Sequence, residues 1–495
     1  MARMALLPGL AQPDQSETER LGEALVRLLP ALEAFNRFEG PDPAARRRLE
    51  WRAALDQPLP AEGEGLDAVL QVLADVVIPN GLRNGAPGFA GWITTAPTTS
   101  GVAAALSGTV AGSQRWWVQA FNHLETVGLR WLAELLEIPA TWQGTFTPGG
   151  STANLVGIGA ARQAAFERLG VDPARDGVTG IATRIYASAE VHHVVNRAAA
   201  VLGLGRRSVS PVPVDQTCRI ELLDLRARLE ADRRAGVVPV AIVATAGTVN
   251  AGTIDPIREL ADLAAEYATW LHVDGAYGLF GRLDDRIAGL YDGLERADSV
   301  AVDPHKWLAT PLGIGATFVR DRGLLGRAFT LEPAEYLEGA AVETEPISPF
   351  DGFGDLYHDF NLDQSAPSRG VMVWAVLREI GASGIRDRVR RHRDFARYLA
   401  DLVEADERLE LLAEPVLSIC CFRYHPPGVE GAALDELNVE IARRLRTDMA
   451  LIPSTTRIGG KLAIRPCYVN PRTTIAEVEG LARAVRHLGD GLVAR

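Results

Sequence analysis

Lysine is almost absent from this chain, and one of its two lysines stands where it could do chemistry. Of the 51 lysine and arginine residues, only Lys306 and Lys461 are lysines. Lys306 lies in the stretch 303–307 (DPHKW), directly after the short apolar run 299–302. Arginine stays protonated, whereas a desolvated lysine amine can lose its proton and attack a carbonyl carbon to form a Schiff base. The pattern therefore predicts either a Schiff-base lysine or a surface lysine that follows a strand.

A carboxylate ends a second apolar run upstream. The stretch 270–277 (WLHVDGAY) is typical of a short buried strand with Asp274 at its carboxyl end. In open α/β sheets, ligands bind just beyond the carboxyl ends of the strands. A Schiff-base lysine and a carboxylate that pairs with a pyridinium nitrogen are two groups that a pyridoxal phosphate enzyme requires. Asp274 would keep the ring nitrogen protonated, so that the ring can accept electrons from the substrate.

A third stretch could hold the phosphate of such a cofactor. Residues 147–154 (TPGGSTAN) form a glycine-rich turn with hydroxyl groups, and residues 155–168 after it have a helical pattern. Backbone N–H groups at a helix N-terminus bind phosphate. Singly, Asp-Gly is usually a turn and Gly-Gly-Ser is usually a loop. Their order along the chain, with the phosphate turn first, the acidic strand end next and the lysine last, predicts a pyridoxal 5'-phosphate site.

With these three stretches, the chain resembles the group II pyridoxal phosphate decarboxylases and is most similar to their aromatic-amino-acid branch. The resemblance extends from about Pro87 to the C-terminal region, and it is carried by HVD at 272–274, DPHKW at 303–307, LETV at 124–127 with WL at 131–132, YAS at 186–188 followed by His192, and CFRY at 421–424. It implies a fold-type I α/β enzyme with a mainly parallel sheet. It also implies that the chain decarboxylates an L-amino acid to the amine and carbon dioxide.

The resemblance also implies roles for single residues around the cofactor. Lys306 would carry the cofactor, Asp274 would hold the ring nitrogen, and Ala276 would pack under the ring. The imidazole of His192 would stack on the ring near the substrate carboxylate, although a histidine after a strand is more often a capping or core residue. Further cofactor contacts are implied for Gly150, Ser151, Thr245 and His305.

Substrate contacts and the proton donor are also implied by the resemblance. Trp92 and Thr95 would lie along the substrate side chain, in a segment that could equally be part of the core. Tyr336, in the stretch 331–346, would lie on a lid and supply a proton over the cofactor, and the alternative is a mobile surface loop with an incidental tyrosine. The proton could also come from His192.

Three residues depart from the pattern of the family. Asp303 stands where the aromatic enzymes usually carry asparagine near the phosphate, and a carboxylate there would repel phosphate unless it turns away. Arg115 interrupts a stretch that is mainly apolar in the family and reaches into the neighbouring active site. His193 replaces a small hydroxyl residue, for which we have no interpretation. Trp92 favours an aromatic substrate and Arg115 an acidic one, so the pattern leaves the substrate open.

Composition limits the classes of partner. The 495 residues are 47% hydrophobic and 23% charged, which is typical of a soluble globular protein with more than one domain. The net charge of −12 disfavours nucleic acid and anionic membranes as partners. No apolar run approaches the roughly 18 residues of a membrane helix, and the N-terminus shows no clear secretory signal. The four cysteines lack metal-ligand spacing, so we expect no metal site and reduced thiols in a cytoplasmic protein.

Three regions are predicted. Residues 1–100 contain helices with little core of their own, residues 101–370 alternate short apolar strands with helices, and residues 371–495 combine strands and helices in a small α+β domain. The middle region predicts a parallel, mostly buried sheet that binds the cofactor. The resemblance implies that the N-terminal helices lie across a partner subunit, in a homodimer with shared active sites.

Other functions remain open at this stage. The same cofactor supports decarboxylation of an acidic or other non-aromatic amino acid, transamination, or an aldehyde-forming reaction. A catalytically silent relative kept as a binding protein is a further alternative. The intact set of Lys306, Asp274 and His192 argues against a silent relative.

Overall fold

A seven-stranded sheet forms the centre of the protein. The computed structural model describes residues 20–39, 51–111, 120–178, 180–330 and 357–494. The sheet has the strand order β2-β8-β7-β6-β5-β3-β4, where the strands are β2 Gln143–Thr147, β3 Thr183–Ser188, β4 Val209–Val212, β5 Val238–Thr245, β6 Trp270–Asp274, β7 Ser299–Val302 and β8 Gly315–Val319. Neighbouring strands are parallel except at β8, which is antiparallel to both β2 and β7.

The parallel strands are buried on both faces because helices cover the sheet. Every residue of β6 and β7 is buried, which matches the continuous apolar runs typical of parallel strands. The helices that connect or cover the strands are Ala120–Leu135, Gly150–Glu167, Pro173–Asp176, Val194–Val201, Leu222–Arg234, Ile257–Glu266, Pro304–Trp307 and Leu324–Phe329. The carboxyl ends of β5, β6 and β7 therefore meet at one edge, where the sequence predicts the cofactor site.

A second sheet of five strands lies towards the C-terminus. Its order is β1-β11-β12-β10-β9, and its strands are β1 Phe89–Ala90, β9 Leu409–Ala413, β10 Cys421–Tyr424, β11 Ile452–Ile458 and β12 Lys461–Arg465. The edge strand β1 runs parallel to β11, whereas the other pairs are antiparallel. The helices Gly431–Asp448 and Ile475–Val493 pack with this sheet around a separate apolar core.

One long helical segment, Gly370–Glu404, joins the two sheets. Gly381 has a non-helical backbone and divides the segment in two. His392, which points from this segment towards the large sheet, is fully buried. The segment therefore contributes side chains behind the active-site edge.

The N-terminal helices are exposed. They are Leu21–Asn36, Trp51–Leu55 and Leu66–Val72, which continues as a π-helical turn over Leu73–Val77. The first of them buries no residue, and the helix Thr99–Val110 also exposes apolar side chains such as Val102 and Val110. In the described part of the chain, no helix is both long enough and apolar enough to cross a membrane.

Candidate active site

The carboxyl ends of three adjacent strands bring the predicted residues together. Thr245 at the end of β5 pairs in register with Asp274 at the end of β6, and Asp274 pairs with Ala301 of β7. The backbone N–H of Asp303 donates to the carbonyl oxygen of Ala276 at 3.2 Å. The turns that follow β6 and β7 are thereby fixed to each other.

The glycine-rich turn is shaped as an anion cradle. The helix Gly150–Glu167 begins directly after the turn, where Gly149 has a φ of +102° that side-chain-bearing residues rarely adopt. The backbone N–H groups of Gly150, Ser151 and Thr152 have no hydrogen-bond acceptor among the described residues. Free N–H groups at a helix N-terminus suit an oxyanion, so the turn fits a phosphate group.

The lysine lies in a short helix, Pro304–Trp307, that starts where β7 ends. Lys306 Nζ is 3.2 Å from Asp303 Oδ2, and 20% of the lysine side chain is exposed. The His305 Nδ1–H group donates to the carbonyl oxygen of Ile314 at 2.8 Å. A Cβ placed on Gly149 would lie 3.5 Å from the His305 ring, so this imidazole borders the phosphate turn.

The sequence assigns Asp303 no role in the site, yet the structure places its carboxylate against the phosphate turn. The side chain is only 2% exposed. A Cβ built on Gly150 would lie 2.4 Å from Asp303 Oδ2, and a Cβ built on Gly315 would lie 2.9 Å from Oδ1. The carboxylate is therefore packed between two glycine backbones, one of them at the start of the phosphate-binding helix.

Two polar groups on adjacent strands fit a polar aromatic ring. Asp274 is 6% exposed, and its Oδ1 accepts the backbone N–H of Ala276 at 3.1 Å. The Thr245 hydroxyl is buried and has no hydrogen-bond partner among the described residues. Buried polar groups normally have partners, so an orphaned hydroxyl beside a buried carboxylate fits the ring of pyridoxal phosphate.

His192 follows β3 and lies close enough to Asp274, Asp303 and Lys306 for their charges to affect it. Its Nδ1 accepts the backbone N–H of Val194 at 3.2 Å, so the proton of the neutral ring is on Nε2. Burial lowers the pKa of His192, and the charge of Asp274 partly opposes this effect. The exposed ring of His193 packs against His192 with centroids 4.2 Å apart. A neutral His192 can stack on an aromatic ring and donate from Nε2.

A chain of hydrogen bonds from the sheet interior to the phosphate turn was missed by the sequence reasoning. Trp270 Nε1–H donates to Ser299 Oγ at 2.8 Å, and the Ser299 hydroxyl donates to His272 Nδ1 at 2.7 Å. His272 Nε2–H then donates to Asn154 Oδ1 at 2.9 Å, and Asn154 Nδ2 donates to the carbonyl oxygen of Gly150 at 2.9 Å. The only signal in the sequence is the presence of polar residues inside apolar strands.

A second group of residues holds the lysine turn from behind. Trp307 Nε1–H donates to the buried His392 Nδ1 at 3.0 Å. Arg388 donates to the carbonyl oxygen of Leu308 at 3.0 Å. Trp307 also stacks on Tyr277, with ring centroids 5.3 Å apart. The residue next to Lys306 is therefore fixed by both the long helical segment and the turn after β6.

The predicted substrate segment is fixed to the C-terminal sheet. Trp92 has a φ of +51° and is 60% exposed, whereas Thr95 is fully buried. The Trp92 N–H donates to Ser454 Oγ at 2.6 Å, and its carbonyl oxygen accepts from Arg465 at 2.8 Å. Further along, the Thr98 N–H donates to the carbonyl oxygen of Ala309, three residues after the lysine. None of the supporting residues Thr98, Ala309, Ser454 and Arg465 was predicted from the sequence.

Two residues singled out in the sequence lie outside the described part of the chain. These are Tyr336, the predicted proton donor, and Arg115, the departure from the apolar pattern. The described site therefore comprises the phosphate turn, the ends of β5 to β7, the lysine turn and His192. It combines an amine, a buried carboxylate and an anion cradle, which are the parts expected for pyridoxal phosphate.

Comparisons with known proteins agree with this geometry. The family model of the pyridoxal-dependent decarboxylase conserved domain matches residues 49–425. An aromatic-L-amino-acid decarboxylase of Bacillus atrophaeus is 30% identical over 375 residues, which cover 74% of this chain and 73% of that protein. A 4-hydroxyphenylacetaldehyde synthase of Rhodiola rosea is 25% identical over 457 residues, covering 89% of this chain and 88% of that protein.

A solved structure shows the same fold. It is that of Oryza sativa TDC with PLP and tryptamine, with a TM-score of 0.86 and 24% identity, and the match covers 97% of this chain and 100% of that chain. The chain belongs to the pyridoxal-dependent decarboxylase family. It is a fold-type I lyase whose cofactor is pyridoxal 5'-phosphate, and the predicted fold class, family and decarboxylation of an amino acid are confirmed.

Proposed function

We propose that this enzyme converts an aromatic L-amino acid to the corresponding amine and carbon dioxide. The observation that carries the proposal is the convergence of Lys306, Asp274 and His192 at one sheet edge, beside the turn at Gly150. The similarity to a decarboxylase named for aromatic L-amino acids supports the aromatic class. The exposed indole of Trp92 offers an apolar aromatic surface for such a side chain.

Bound pyridoxal phosphate supplies an aldehyde that condenses with amines and a ring that accepts the electron pair left when carbon dioxide departs. Lys306 is the amine that would hold the cofactor, and it would be released as a free amine when the substrate amine takes its place. Asp274 stabilises a proton on the ring nitrogen, because the buried carboxylate is an unshielded negative charge. Ser151 and the N–H groups of the turn bind the phosphate, with His305 beside them.

The remaining roles concern the substrate and the proton. His192 packs on the ring face, and its Nε2–H group can donate to the substrate carboxylate. Trp92 would border the substrate side chain, whereas a contact by the fully buried Thr95 would require this segment to shift. Tyr336 donates a proton to the substrate's α-carbon after decarboxylation, with His192 as the alternative donor. Ala276 would pack beneath the ring, and the Thr245 hydroxyl, which has no partner among the described residues, would lie beside the cofactor.

We propose further that the enzyme is a cytoplasmic homodimer. The apolar residues exposed on the N-terminal helix, such as Val26 and Leu29, need a covering surface, because a helix that buries nothing is marginally stable alone. All four cysteines are free, which suits a reducing compartment. In this proposal, residues 1–100 form the dimer-forming segment, 101–370 the cofactor domain and 371–495 the small domain.

The test is a panel of L-amino acids incubated with the cofactor-loaded enzyme. We expect equal amounts of amine and carbon dioxide from tryptophan, tyrosine or phenylalanine, and little product from glutamate or aspartate. A preference for acidic substrates would contradict the aromatic class and would point to Arg115. Analytical ultracentrifugation of the same sample tests the dimer, and an active monomer would refute the shared site.

The second candidate function is formation of an aldehyde, which the similarity to the Rhodiola rosea synthase favours. That reaction consumes oxygen and water and releases aldehyde, carbon dioxide, ammonia and hydrogen peroxide. An oxygen electrode and a peroxide assay distinguish it from amine formation in the same panel. Oxygen uptake equal to carbon dioxide release would establish the aldehyde route.

A further inference from the structure

The carboxylate of Asp303 is buried beside the turn to which we assign the cofactor's phosphate. A Cβ built on Gly150 would lie 2.4 Å from its Oδ2, and a Cβ built on Gly315 would lie 2.9 Å from its Oδ1. Because neither glycine carries a side chain, the backbone of the phosphate turn and the carboxylate approach each other directly. A phosphate group held by that turn would therefore have a negative charge as its neighbour.

Among the described residues, the basic groups close to Asp303 lie beside one of its two carboxylate oxygens. Lys306 Nζ is 3.2 Å and His305 Nε2 is 3.8 Å from the same oxygen, Oδ2. The other oxygen, Oδ1, is buried and accepts no hydrogen bond in the described part of the chain. The helix that starts at Gly150 and the strand at Gly315 each approach the carboxylate with a glycine backbone.

Binding of the cofactor would weaken the ion pair between Lys306 and Asp303. A lysine nitrogen bonded to the aldehyde carbon of the cofactor has fewer protons to donate than a free ammonium group. Binding of the cofactor thus brings a phosphate anion close to Asp303 and weakens the ion pair that balances Asp303. Both effects act against binding of the phosphate.

We propose that Asp303 is an internal anion that lowers the affinity of the turn for the phosphate of the cofactor. The inference rests on the proposed function, in which the turn at Gly149–Ser151 holds that phosphate. Like charges a few ångströms apart in a partly buried site repel strongly, so neutralising Asp303 should tighten phosphate binding by roughly tenfold or more. The enzyme would consequently release and reload its cofactor more readily than an enzyme with a neutral residue at this position.

The experiment compares two ligands that differ only in the phosphate. Apoenzyme with the natural residue and with Asp303→Asn is titrated with pyridoxal 5'-phosphate and with pyridoxal, and the dissociation constants are measured by absorbance. The ratio of the pyridoxal constant to the pyridoxal phosphate constant isolates the contribution of the phosphate. We expect this ratio to rise roughly tenfold or more in Asp303→Asn. Inorganic phosphate should also raise the thermal midpoint of Asp303→Asn apoenzyme more than that of the natural apoenzyme.

A matched control lies at the opposite end of the same strand. Asp298 precedes β7, accepts the backbone N–H of Leu271 at 2.8 Å, and lies about 16 Å from Asp303 along a strand that rises about 3.3 Å per residue. Asp298→Asn should leave the ratio unchanged. Circular dichroism verifies folding of each variant, and Asp303→Ser provides the same loss of charge if the asparagine variant misfolds.

The outcomes separate this inference from the function on which it rests. A ratio that stays constant or falls in Asp303→Asn overturns the inference, since the carboxylate would then be neutral towards the phosphate or helpful to it. If neither the natural enzyme nor Asp303→Asn binds pyridoxal phosphate more tightly than pyridoxal, the turn does not hold the phosphate and the proposed site itself is wrong. A clear preference in the natural enzyme that Asp303→Asn leaves unchanged rejects only the role of Asp303.

Discussion

Replacement of His272 by phenylalanine tests the hydrogen-bond chain beneath the phosphate turn. His272 is fully buried and connects Ser299 Oγ to Asn154 Oδ1. Phenylalanine fills a similar volume but leaves one hydroxyl donor and one amide acceptor without partners. At about 1–3 kcal/mol for each unsatisfied buried group, His272→Phe should lower the free energy of unfolding by roughly 2–6 kcal/mol near neutral pH.

The difference in stability between the natural enzyme and His272→Phe should become smaller as the pH falls. Burial lowers the pKa of His272 to about 4, from 6.5 for an exposed imidazole. Above the unfolded-state value, the ring is neutral in both states and contributes nothing to pH dependence. As the pH falls below 6.5, His272 binds a proton in the unfolded chain but not in the folded protein. The natural enzyme therefore loses stability until the pH reaches the folded-state pKa of about 4.

The magnitude follows from the distance between the assay pH and the unfolded-state pKa. At about pH 5, some 1.5 units below that value, His272 should cost the natural enzyme about 2 kcal/mol. His272→Phe has no such cost, so the stability gap between the two proteins should narrow by about 2 kcal/mol between pH 7 and pH 5. Urea unfolding of both cofactor-saturated proteins, followed by tryptophan fluorescence, measures the gap.

A surface histidine provides the control. His425 lies beside Glu410 with 40% of its side chain exposed, and His425→Phe should change stability by less than about 0.5 kcal/mol. A gap for His272→Phe that stays constant or widens on acidification would refute the reasoning. It would mean that the folded protein protonates His272, so that the neutral, directional chain from Trp270 to Gly150 does not exist.

Three further substitutions test the proposed chemistry. Lys306→Ala should abolish turnover and the absorbance of covalently bound cofactor. The control Lys461→Ala, at an exposed ion pair with Glu410, should leave both intact. Covalent cofactor retained in Lys306→Ala would refute the assignment. Asp274→Asn should slow amine formation by roughly a hundredfold or more, because a neutral amide cannot stabilise a ring proton, and a near-normal rate would exclude that role. Tyr336→Phe should still release carbon dioxide but yield less amine and some aldehyde with oxygen uptake, and normal amine production would make His192 the proton donor.

The parts of the site that could be predicted from the sequence are those written in short stretches. A lysine after an apolar run, an aspartate at a strand end and a glycine-rich turn each depend on neighbours within a few residues. The parallel arrangement of the central strands also follows from local pattern, because alternating short strands and helices favour a parallel sheet whose carboxyl ends share an edge. The structure places Lys306, Asp274 and Gly150 after elements of the same sheet, and their roles in binding the cofactor stay a prediction.

Local pattern was less accurate about where elements begin and end. The helical pattern was placed at residues 155–168, but the helix starts at Gly150, within the glycine-rich turn itself. Glycine disfavours helices locally. The start is fixed instead by packing, since the turn lies against Asp303, and Asn154 Oδ1 accepts a hydrogen bond from His272, which is 118 positions away in the sequence.

Only the tertiary structure decided how charges and supports surround the site. Asp303 could turn towards the phosphate turn or away from it, and its position between Gly150 and Gly315 results from the packing of three separate elements. The hydrogen bond from the Trp92 backbone N–H to Ser454 Oγ likewise joins residues 362 positions apart. Hydrophobic periodicity specifies which face of a strand or helix is buried, but not which distant side chain it meets. That pairing depends on how the elements pack together, and it is why the supports of this active site appear only in the folded chain.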